Sequence, residues 1–226
     1  YFKLEDKIHL IIENYSFPEQ KILSILKNSI DSIMEGILLD KFDSLKSNGI
    51  ISEGSLSDKL EKFKELLEIE DAISKLFYDY PILEEQLSIT LNNVIAEIVD
   101  ILNDFQEDKN EIQNFFKIKA NSILDIELDC GDKHNNKSVA KVLIDNTELY
   151  YKPKNLNTDH LYRDVLKLLD KYSNFDFKTP STLSRRTHSW QESIQISQEL
   201  SLYEAKKYYE RAGCLAFILS FLFILI

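Results

Sequence analysis

The chain has 226 residues, 44% of them hydrophobic and 29% charged, with a net charge of −11, a balance ordinary for a soluble globular protein with a core of its own. The acidity is uneven: residues 1–120 hold 24 Asp and Glu against 13 Lys and Arg, whereas residues 121–226 hold 14 of each. This argues against nucleic-acid binding by the first half, because phosphate contacts need a basic face; it leaves solvated helix faces, or an acidic surface that attracts a basic peptide.

Five glycines and four prolines favour long helices over a turn-rich β fold. Cys130 and Cys214 form no CxxC and no zinc pattern, which suits small buried residues in a reduced, cytoplasmic setting. The chain opens on Tyr1-Phe2-Lys3 with no signal-peptide pattern, and reads as a fragment boundary or as a segment cut from something longer.

Apolar residues recur at helical spacing over 3–13 and again over 19–47, where Ile22, Leu23, Ile25, Leu26, Ile30, Ile33, Met34, Ile37 and Leu38 carry the pattern. Ser16-Phe17-Pro18-Glu19 is a helix start with Pro near the first turn, and Asn48-Gly49 breaks the chain. Ser55-Leu56-Ser57-Asp58 reads as a capping box for a helix over 57–78. Tyr80-Pro81 ends that helix, since the residue before Pro avoids the α region. Pro81 opens a further helix that runs to about Phe116, with a break expected near Glu107–Asn110.

The pattern changes at Ser122. ILDIELDC, SVAKVLID and ELYYKP alternate or cluster β-branched and aromatic residues, and Asp145-Asn146-Thr147 reads as a hairpin turn between the last two. A helix is expected from about Thr158 to Tyr172, with Leu161, Val165, Leu168 and Leu169 inward, then extended chain through FDFKTPSTLSRR and a mixed HSWQESIQ. A last helix starts near Leu202. Its end, Ala212 to Ile226, is an uncharged apolar run; that run is shorter than the roughly 20 residues of a membrane span, so a buried core helix is expected, with a membrane anchor over 214–226 as the alternative.

The chemistry-bearing residues lie between 128 and 155. Asp132 and His134, two apart in a turn, form a carboxylate–imidazole pair suited to proton transfer; a turn Asp and an exposed His is the plainer alternative. Lys152 ends a strand, where a lysine serves as a point charge for phosphate or is simply solvated. Arg185, Arg186 and His188 make a small basic cluster, read as a solvated loop or a contact for phosphate or an acidic partner. Trp190, the one Trp of the chain, is expected to anchor the core. His9 and His160 fit no constellation and read as surface residues.

Several of these pieces, in this order, resemble the dehydratase domain of class II lanthipeptide (lantibiotic) synthetases. They are Tyr80-Pro81-Ile82-Leu83 at the head of a long helix, GDKHNNKSVAKV (131–142), LYYKPKNL (149–156), WQE (190–192) and YYERAGCLAFI (208–218). The resemblance covers roughly residues 80–219. It implies an α+β fold: a mostly helical region over 1–120, then a partial kinase-like core over 121–226, whose small β-sheet resembles a kinase N-lobe, and a terminal apolar helix.

It also implies an activity. The family phosphorylates Ser and Thr of a ribosomal precursor peptide with ATP and magnesium, then eliminates phosphate to leave dehydroamino acids. Lys152 then resembles the strand lysine that contacts ATP phosphate and assists elimination, with Lys154 beside it where the family usually has Arg. Asp132 and His134 resemble the pair implicated in phosphoryl transfer. After YYERAGCLAFI the family continues into a Thr-Asp-x-His-x-Glu-Asn loop that holds magnesium, whereas this sequence reads SFLFILI. A truncated or frameshifted synthetase is therefore expected, inactive and poorly soluble by itself, with the missing remainder as its natural partner. The competing readings are a non-catalytic module that binds a peptide or partner through its acidic helices, and a membrane-associated helical protein.

Overall fold

The computed structural model describes residues 3–69, 71–131, 137–172, 177, 179–194 and 201–224; the side chains at 219 and 221–224 lie outside that description. Among the described residues there are seven helices and five strands, an α+β arrangement. Helix α1 (Leu4–Tyr15) stops where Ser16 turns left-handed at φ 53°, and its N–H closes on the Ile12 carbonyl. Pro18 sits in extended backbone at the N-cap of α2 (Glu19–Ser47), where its missing N–H costs nothing.

The Ser55–Asp58 capping box forms: the Ser55 hydroxyl accepts from the Asp58 N–H, and the Asp58 carboxylate accepts from the Ser55 N–H at 2.8 Å. The single helix expected over 57–78 is two, α3 (Leu56–Leu67) and α4 (Ala72–Asp79), separated at Asp71, whose φ of 78° no helix interior allows. Helix α5 (Leu83–Phe116) is one continuous element; the break expected near Glu107–Asn110 is absent because the carboxylate of Asp108 is satisfied by tertiary partners described below.

Strands β1 (Ile123–Glu127), β2 (Ala140–Ile144) and β3 (Thr147–Lys152) form an antiparallel meander, with Asp145 at φ 47° in the expected hairpin turn. Helix α6 (Asn157–Tyr172) intervenes before the hairpin of β4 (Thr182–Ser184) and β5 (Ser189–Glu192); it buries Leu166, while Leu161 and Leu168, expected inward, are exposed. β5 pairs with β3, so the sheet order is β1-β2-β3-β5-β4, antiparallel throughout.

One face of this sheet is apolar. Ile123, Ile126, Ala140, Val142, Ile144, Leu149, Tyr151 and Trp190 meet Ile98, Ile101, Leu102, Phe105 and Ile112 of α5. On its other flank α5 is covered by Ile8 and Ile11 of α1, Phe17, and Ile22, Ile25 and Leu26 of α2. Residues on both sides of position 120 thus share one core. Trp190 is fully buried in it, as its large apolar body requires.

Two expectations fail. Cys130 and Cys214 are free and only half-buried, because Cys130 lies beyond the end of β1 rather than on its core face. Helix α7 (Leu202–Ile224) places none of its described side chains in the core, and Leu202, Tyr203, Tyr209 and Phe217 are exposed; its hydrophobicity runs around the helix instead of forming a stripe aimed at a neighbour. No helix among the described residues is long and apolar enough to cross a membrane.

Ile98 is fully buried where α5 meets the core. Ile98→Ala is expected to lower the unfolding free energy by about 2–5 kcal/mol, read from urea denaturation followed by circular dichroism.

Candidate functional site

The strand register brings Lys152 and the segments that carry the other residues singled out from the sequence toward one end of the sheet. Ala140 stands opposite Tyr151, and Lys152 stands opposite Ser189. The end of β3, the β4–β5 turn and the connection between β1 and β2 therefore share that end. Asp132 and His134 belong to that connection, and lie outside the described residues. Its two described limbs are joined by the Cys130 N–H donating to the Val139 carbonyl at 2.8 Å. A Cβ on Gly131 would stand 3.2 Å from the Val139 side chain, so the close approach of the limbs suits glycine there.

Strand alternation turns Tyr151 toward α5 and Lys152 to the opposite face. Lys152 is half-buried, and burial pushes its ammonium below the ordinary lysine range. Asp159, near the start of α6, pulls it back up and Lys154 lowers it further. Lys154 is exposed and follows in the turn. That turn is fastened to the β4–β5 hairpin: the Ser189 hydroxyl donates to the Lys154 carbonyl at 2.9 Å, and the Leu156 N–H donates to the hydroxyls of Ser184 and Ser189. A partly desolvated ammonium with a second cation two residues on suits a multiply charged anion such as a phosphate chain. Among the described residues no three His, Cys, Asp or Glu side chains converge as metal ligands would.

The opposite face holds a polar network that the sequence reading missed. Helix α5 carries Glu97, Asp100, Asp104, Asp108 and Glu111 at spacings of three and four, which place them along one face. Glu97, buried, accepts from the N–H of Ser138 at 2.7 Å and from its hydroxyl at 2.9 Å. Asp100 pairs with Lys137 at 2.6 Å. Asp104 accepts from the Tyr151 hydroxyl at 2.6 Å and lies 3.2 Å from His188 Nδ1. Asp108, 1% exposed, takes His188 Nε2 at 2.7 Å and Trp190 Nε1 at 2.9 Å on one oxygen, and Arg185 Nε at 2.7 Å on the other.

The Tyr151 ring stacks on His188 at 5.5 Å and meets Trp190 edge-on at 5.2 Å. Burial, then the bond to Asp104, drives the Tyr151 phenol far above its usual range, so it stays a donor. Beside this network a cleft of about 580 Å³ opens between α5 and the two turns, lined in part by Glu107, Asn155, Asn157 and Arg186.

Arg185 and His188 are thus not a solvated basic loop: both are held by α5. Of the other histidines, His9 is exposed and pairs with Glu13, as a surface residue does, and His160 is half-buried against Arg163. The signal for the network was present as acids recurring every three or four residues inside an otherwise apolar helical stripe, a position that carboxylates avoid unless paired.

Asp108→Ala would leave His188, Arg185 and the Trp190 N–H without their shared acceptor. It is expected to destabilise the fold by about 3–5 kcal/mol, read by urea denaturation. The fluorescence of Trp190 is expected to shift to the red in the native baseline, since the indole loses its dry, bonded setting.

Two comparisons with known proteins bear on this site. The chain is 27% identical over 146 residues to the lacticin 481/lactococcin biosynthesis protein LcnDR2 of Lactococcus lactis subsp. lactis, a match covering 60% of this chain and 16% of that protein. The chain therefore spans less than a fifth of the length of that relative. Residues 80–224, which carry α5, the whole sheet and the motifs that resemble lanthipeptide synthetases, match the family model described as Domain of unknown function (DUF4135). With nearly two thirds of its length inside that match, the chain belongs to the DUF4135 family, a domain found in lanthipeptide synthetases.

Proposed function

We propose that this chain is the part of a lanthipeptide-synthetase dehydratase that holds the phosphate end of ATP for transfer to Ser and Thr of a precursor peptide, with later elimination of phosphate. The observation that carries the reading is the half-buried Lys152, at the end of the third strand of a five-stranded antiparallel sheet, with a helix following it. That placement suits a kinase-type N-lobe, in which a lysine on the third strand meets nucleotide phosphate. The similarity to a lacticin biosynthesis protein supports the same chemistry.

In this reading Lys152 and Lys154 bind and orient the phosphates. The nucleotide, with magnesium, supplies the phosphoryl group. Asp132 and His134, on the connection that reaches the same end of the sheet, serve the hydroxyl proton. Regions 1–120 and 121–226 act as a helical support and a kinase-like core, working in the cytoplasm.

Calorimetric titration of ATP with magnesium is expected to show binding that weakens at least tenfold in Lys152→Met and only a few-fold in Lys154→Ala. Because burial lowers the Lys152 pKa, the charge that binds phosphate is present at neutral pH and is lost at a lower pH than for an ordinary lysine, near 10.4. Affinity is therefore expected to fall as pH rises toward that value. Equal affinity of Lys152→Met and the parent chain would overturn the reading.

A further inference from the structure

Helix α6 separates apolar from charged residues around its axis, yet of its 16 residues only Leu166 is buried. Its apolar residues fall in two rows. Tyr162, Leu166 and Leu169 form the inner one, with Tyr162 and Leu169 half-buried. Leu161, Val165, Leu168 and Tyr172 form the other. Their spacing of four, three and four is that of a seam along which two helices pair. Val165 is half-buried, but Leu161 is 70% exposed, Leu168 57% and Tyr172 78%. With 3.6 residues per turn, Leu166 lies about a third of a turn round from the middle of this stripe. The inner side continues past it through the half-buried Arg163 and Asp170. The stripe is therefore open to a helix approaching from outside, and an apolar row of this length in water calls for a partner.

The charges beside the stripe point to what covers it. Asp164 and Lys171 lie on one flank, two turns apart and both exposed. Neither forms an ion pair among the described residues. The Lys171 ammonium stands 5.7 Å from the ring centre of Tyr172, the last member of the stripe. The other acids of the helix have tasks within the chain or lie away from this flank: Asp159 acts on Lys152, and Asp170 accepts the Phe177 N–H at 3.0 Å.

We infer that this stripe is the contact for a second copy of the chain, with the two α6 helices packed antiparallel about a two-fold axis. In that arrangement the Asp164 of each copy stands beside the Lys171 of the other, and the symmetry makes the pair twice. A parallel pair would instead set Asp164 against the apolar Leu169. The charges thus select the orientation, while the stripe supplies the affinity. One 16-residue helix per copy buries less surface than a stable interface does, so the dimer is a weak one that forms at high protein concentration.

The inference goes beyond the nucleotide reading and does not depend on it. α6 starts five residues after Lys152, so antiparallel pairing would place the two lysines toward opposite ends of a helix pair about 24 Å long. Each copy would keep its own end of the sheet open.

The test is sedimentation equilibrium of the chain over a range of concentrations, with backbone amide spectra of dilute and concentrated samples to locate the contact. A monomer–dimer equilibrium is expected, with concentration-dependent shifts centred on residues 161–172. Leu168→Glu is expected to weaken association at least tenfold while leaving the circular dichroism melt unchanged, since the side chain is exposed. Asp164→Lys alone, or Lys171→Glu alone, is expected to weaken it about tenfold, because two attractive pairs become repulsive. The two changes together are expected to restore it, because the reversed charges are again complementary between antiparallel copies. A monomer at every concentration would overturn the inference. So would shifts centred on α7, association indifferent to Leu168→Glu, or a double variant no better than the single ones.

Discussion

At the end of the sheet where Lys152 stands, the β1–β2 connection, β3 and the β4–β5 hairpin are all held by the row of carboxylates along α5. Glu97 holds Ser138, Asp100 holds Lys137, Asp104 holds Tyr151 and His188, and Asp108 holds His188, Trp190 and Arg185. These partners come from the β1–β2 connection, from β3 and from the β4–β5 hairpin, the three segments that meet beside Lys152. A buried carboxylate is costly unless its lone pairs are used, and here two oxygens of Asp108 serve three donors. The row trades some stability against a hydrophobic equivalent for directionality, because hydrogen bonds fix where a loop sits and apolar contact does not.

The division of labour between the two faces of the sheet follows from strand alternation. Tyr151 and Lys152 are neighbours in sequence, yet one is locked against α5 and the other is held on the far face with its charge partly desolvated. A lysine placed in this way has its strand fixed from behind, so little further ordering of its stem would be needed to meet an anion. The acidity of the first half also finds a role, since much of it on α5 is internal structure and the rest is surface.

Local signals made most of the fold legible. The start of α2 followed from Pro18, and the Ser55–Asp58 cap and the Asp145-Asn146 turn were visible because a side chain or a φ requirement within a few residues decided them. The split at Asp71 was missed because nothing in the Lys59–Tyr78 periodicity marks a residue that will turn left-handed. The continuity of α5 through Asp108 and the burial of His188 were missed because the deciding partners are 80 residues apart; a charge inside an apolar stripe announces that a partner exists, not which one. For the site, the sequence named Lys152 and its neighbours. The structure adds which face Lys152 occupies and what fastens its strand.

The carboxylate row also sets an order of events as the chain is made. Asp100, Asp104 and Asp108 are like charges one turn apart, which by themselves weaken a helix by a few tenths of a kcal/mol per pair. Asp100 meets Lys137, but Arg185 and His188, which close on Asp104 and Asp108, leave the ribosome some 80 residues after Asp108, on the order of 10 s at ordinary translation rates. During that interval α5 is a helix with an unneutralised seam. It gains its full rigidity only when the last hairpin of the sheet arrives, so a nascent chain stalled before residue 185 would expose a long, apolar and acidic surface to whatever receives it.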